Sequence, residues 1–70
     1  MSHEAKVINF VNEGDADEGF ALVRVTNRSI GLTLSLRQDG DIGVFFSADV
    51  ARSLVAALTQ AIEMAETIDI

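Results

Sequence analysis

Ile30-Gly31-Leu32-Thr33-Leu34-Ser35-Leu36-Arg37-Gln38-Asp39-Gly40-Asp41-Ile42-Gly43-Val44-Phe45-Phe46 is the stretch that decides the fold. Its first half alternates apolar and polar residues in strict period two, which puts Ile30, Leu32, Leu34 and Leu36 on one face of a strand. Its second half places Ile42, Val44 and Phe46 on one face, with Gly43 and Phe45 on the other. Gln38-Asp39-Gly40 lies between them and reads as a hairpin turn. A two-residue Asp39-Gly40 turn would set Leu36 opposite Gly43 and Leu34 opposite Phe45. A three-residue loop would set Leu36 opposite Ile42, Leu34 opposite Val44 and Leu32 opposite Phe46. The second register gathers the large apolar residues on one face, so the hydrophobic pattern selects it, with Gly40 left-handed in a bulge.

Toward the N-terminus, two more apolar runs read as strands, Lys6 to Val11 and Phe20 to Thr26, giving strands at about 6–11, 20–26, 30–37 and 42–47. Short connections suit antiparallel neighbours. Asn27-Arg28 is a weak turn signal and leaves the register of the second strand open. In one register Val23 and Val25 join the leucine face, and Phe20, Leu22 and Phe45 share the other. In the alternative, Ala21, Val23 and Val25 join Phe45. Both leave apolar residues on each side, whereas a sheet with one wet face alternates cleanly.

Toward the C-terminus, Ser47 suits an N-cap and Asp49 lies in the first turn, where the helix dipole favours a negative charge. Nothing breaks a helix from Ala48 to about Thr67. At ~100° per residue, Val50, Leu54, Ala57, Leu58, Ala61, Met64, Ala65 and Ile68 fall together. Ala51, Val55 and Ile62 widen that stripe along one flank, beyond what one sheet face needs. The fold class is therefore α+β: a four-stranded antiparallel meander followed by one amphipathic helix packed on one face, ββββα. The chain reads as a single domain over residues 1–70, with 1–5 frayed.

Seventy residues, 49% of them hydrophobic, bury a modest share of their surface as a monomer. With no Cys and one His (His3), neither disulfides nor a structural zinc site can add stability. Self-association is the expected remedy, and a two-fold homodimer is its simplest form. The expected partner surface comprises the helix flank Ala51, Val55 and Ile62 together with Leu22 and Phe45 on the sheet. No run is long enough to span a membrane, and Met1–Lys6 lacks the pattern of a secretory signal, so a cytoplasmic location is expected.

No convergent set of catalytic groups can be named, and the expectation is a protein without enzymatic activity or cofactor. The acidic segment Asn12–Gly19 fits a calcium loop poorly. Counted from Glu13, its sixth position is Glu18 and its twelfth Arg24, where an EF-hand needs Gly and Glu. It reads as a solvated hairpin loop. Asp39 and Asp41 flank a turn glycine for backbone reasons. The serines lack a neighbouring His or an elbow motif.

Charge is unevenly spread. Between Phe20 and Gln38 lie three arginines and no acid, so that stretch carries +3 and the rest −9, for a net −6. In one register Arg24 and Arg37 share a sheet face with Phe20 and Phe45. Arginines interleaved with aromatics can neutralise and stack on single-stranded nucleic acid. The net acidity opposes this. The order of four strands and a helix, with dimerisation expected, is similar to the Pur-alpha and Whirly single-strand-binding domains. That likeness spans nearly the whole chain as topology, without signature residues, and implies sheet-face binding of a single strand. The leading expectation is a non-catalytic homodimeric module for protein interaction or structure. The alternative is a weak single-strand binder using Phe20, Arg24, Arg37 and Phe45.

Overall fold

The computed structural model describes residues 6–67; the expectations for His3, for fraying of residues 1–5 and for Ile68 lie outside them. Strands β1 (Lys6–Val11), β2 (Glu18–Thr26), β3 (Ser29–Leu36) and β4 (Gly40–Phe46) are followed by α1 (Ala48–Thr67). The strands form one antiparallel sheet in the order β1-β2-β3-β4. The fold class is ββββα, as the alternation and the helical run require.

The register fixes two faces, because directly opposed residues of an antiparallel pair point the same way. Val23 faces Leu32, Val25 faces Ile30 and Ala21 faces Leu34. Ile8 faces Ala21, Phe10 faces Gly19, and on the far side Leu34 faces Ile42 and Leu32 faces Val44. One face, here called A, is therefore apolar from edge to edge apart from Lys6 and the glycines. Face B mixes Val7, Phe20, Leu22 and Phe45 with Asn9, Arg24, Thr33, Ser35 and Asp41. This is the first of the two registers weighed for β2. It is set by a two-residue turn at Asn27 and Arg28, both left-handed at φ +50° and +69°, the twist a tight hairpin needs.

The β3–β4 hairpin departs from its expected pairing. Leu36 opposes Gly40 rather than Ile42, and Ile30 rather than Leu32 opposes Phe46. The displacement is two residues along β4, so face parity survives and Gly40 is left-handed at φ +88° as expected. The cause lies in the neighbouring loop. The Arg37 N–H donates to the Glu18 carbonyl and the Gln38 N–H to the Asp17 carboxylate. Arg37 is thereby tied to the first residue of β2 and Gln38 to Asp17 just before it, and both are withdrawn from the ladder with β4.

Ser47 is the only residue between β4 and α1. Its Oγ accepts from the Val50 N–H at 3.3 Å, and its carbonyl accepts from Ala51, which makes it the N-cap. The seating of the helix is where structure and expectation part. Instead of packing along face A, α1 has no buried residue, and only Ala51 is half-buried. Its contacts with the sheet are few, and β3 is the strand it chiefly meets. The longest dimension of the chain is 47 Å, while a 20-residue helix is ~30 Å long and a strand of this sheet ~20–30 Å. The helix thus runs on past the sheet. The radius of gyration is 14.0 Å, against about 11 Å for a compact chain of this length. Among the described residues no apolar side chain is buried; only Asp17 and Gly31 are.

Candidate interaction surfaces

Face A is the first of these surfaces. Ile8, Leu34, Ile42 and Val44 lie 42–65% exposed upon it. A contiguous apolar surface spanning four strands exceeds what soluble monomers normally present. The helix stripe is a second such surface. Val50, Leu54, Leu58 and Met64 are exposed along it, beside Val55 and Ile62 on the flank. Val55 and Ile62, expected at a partner surface with the half-buried Ala51, are thus only one edge of a largely open stripe. Face A and the stripe centre went unnamed as partner surfaces because each was expected to cover the other within one chain. The available signal was the one-residue connection between Phe46 and Ala48, which leaves a helix little freedom to double back over its own sheet.

Face B brings together the residues singled out for nucleic acid, but in two groups. At one end Arg24 lies over the Phe45 ring, 5.9 Å from its centroid, an attraction between cation and ring quadrupole. Gly31 sits opposite both, and a Cβ there would stand 2.9 Å from the ring, so the glycine makes room for the pair. At the other end Phe20 shares a shallow depression with Asn9, Glu18, Gly19, Ser35 and Arg37. There Arg37 approaches Glu18 at 3.6 Å. Leu22 and Thr33 lie between the groups. Each arginine already has an intramolecular partner, and Ser35 Oγ donates to the Asp41 carboxylate on the same face.

The β1–β2 and β3–β4 loops meet around Asp17. Asp15, Asp17 and Asp39 bring carboxylate oxygens within 4.8 Å of one another, a proximity across separate loops that no linear motif reveals. Asp15 accepts from the Asp17 N–H at 3.0 Å and from the Asn12 side chain at 2.9 Å. These bonds hold its carboxyl below the usual carboxylate range, the Asp17 N–H contributing most. Asp17, 4% exposed, accepts from Gln38. The cluster thereby ties one loop to the other.

No helix among the described residues is long and apolar enough to cross a membrane. No family model matches the chain, and no curated protein or solved structure matches it either.

Proposed function

We propose that this chain is a non-catalytic module that works as a homodimer and engages another protein through the surface left open after dimerisation, face B. The observation that carries the reading is the lack of any buried apolar side chain among the described residues. A chain that is 49% hydrophobic and folds without a core gains its stability from another chain. Face B suits a protein partner, since aromatic and arginine side chains supply interface anchors. A cytoplasmic site of action goes with this reading. Light scattering after size exclusion at micromolar concentration tests it. The expected mass is about twice the 7.5 kDa chain; a monomer mass sustained through dilution refutes it.

A second reading, weak binding of single-stranded nucleic acid, draws support from Phe20, Arg24, Arg37 and Phe45 sharing one face. Against it stands the −6 net charge. Fluorescence anisotropy with short oligonucleotides at low salt separates the readings. The expected result is no binding at about tens of micromolar protein, far weaker than specific binders.

A further inference from the structure

We infer that the two copies are held by exchange of α1, the helix of each chain lying on face A of its partner's sheet, so that one hydrophobic core is built from two chains. This rests on the homodimer reading above and adds which surfaces meet.

The first argument is coverage. Two apolar surfaces are open on every chain, face A and the helix stripe. Sheet-to-sheet packing would cover face A and leave both helices bare. Helix-to-helix packing would leave both sheets bare. Reciprocal seating of helix on sheet is the two-fold arrangement that covers both surfaces with one contact repeated twice.

The second argument is fit. A 20-residue helix is ~30 Å long, and the seven- to nine-residue strands β2 to β4 run ~20–30 Å. The stripe and the strands it would cross are matched in length.

The third argument is area. The chain exposes 5842 Å², whereas a compact monomer of 7.5 kDa exposes about 4,200 Å². The surplus of roughly 1,600 Å² per chain, taken over two chains, falls within the roughly 2,000–5,000 Å² that obligate homodimers bury.

The test is an isotope-filtered NOE experiment on a dimer reconstituted from labelled and unlabelled wild-type chains, run beside a mass measurement. The expected result is a dimer mass with intermolecular contacts between Leu54, Leu58 and Ile62 methyls of one copy and Leu34, Ile42 and Val44 methyls of the other. A dimer in which those contacts arise only within one chain, or in which the intermolecular contacts join sheet to sheet or helix to helix, overturns the exchange and leaves the homodimer standing. A monomer mass overturns both.

Discussion

Gly19 and Gly31 show how narrowly single positions are constrained in the two central strands. A Cβ on Gly19 would overlap the Ser35 carbonyl across the ladder and the Leu36 side chain. Backbone cannot yield there without parting β2 from β3. A Cβ on Gly31 meets only the Phe45 ring and the Arg24 side chain, which can swing aside on an open face. Gly31→Ala is therefore expected to cost about 1 kcal/mol and Gly19→Ala about 3 kcal/mol or more; urea denaturation of the pair reads the ranking, and equal costs would contradict the register. Asp15 supplies a pH-dependent counterpart. Its folded pKa is depressed by the Asp17 N–H and the Asn12 amide, so its contribution is complete above the unfolded value of about 3.9 and is lost as pH falls through the folded value. In an NMR titration the Asn12 side-chain amide signals should move with a midpoint below the unfolded value of about 3.9. A midpoint at or above that value would be inconsistent with these bonds.

Two turns govern the elements. The β2–β3 hairpin forces Arg28 to φ +69°, where a Cβ is strained and glycine is not. Arg28→Gly converts the turn to Asn-Gly, the favoured pair for this geometry, and should raise stability by about 0.5–1 kcal/mol in thermal unfolding. In the β3–β4 hairpin, Gly40 has φ +88° and open space around it. Gly40→Val should lose about 1–3 kcal/mol through backbone strain alone, and a melting curve unchanged from wild type would refute the turn. The elements themselves were legible in the sequence because each follows a local rule. Alternation marked Ile30 to Leu36, and the cap at Ser47 with an unbroken 3.6-residue pattern marked the start of α1 at Ala48. The edges of β2 and β4 were less legible. Glu18-Gly19 and Gly40-Asp41 have turn-forming composition, and they pair only because Asp17, Arg37 and Gln38 anchor the two loops to each other. The grouping of Asp15, Asp17 and Asp39 follows from that same non-local contact.

At the scale of the whole molecule, the sequence pattern told which side chains require burial and not what covers them. Val50, Leu54 and Leu58 lie on one stripe, and Leu34, Ile42 and Val44 on one sheet face, whichever copy supplies the helix. Local periodicity is blind to that choice, so the expected seating of α1 on its own sheet was the part of the fold that did not hold. No apolar side chain is buried within the described chain, so under the proposed dimer folding and association become one event, and stability depends on protein concentration. Urea unfolding followed at two concentrations a hundredfold apart is the most direct test of this. For a dimer that dissociates as it unfolds, each tenfold rise adds about 1.4 kcal/mol of apparent stability. The midpoint should then rise by about 1–2 M urea between the two concentrations, given a denaturant slope of about 1.5–2.5 kcal/mol/M. A midpoint that stays fixed across that range would mean that the chain folds alone, and would contradict a core shared between two copies.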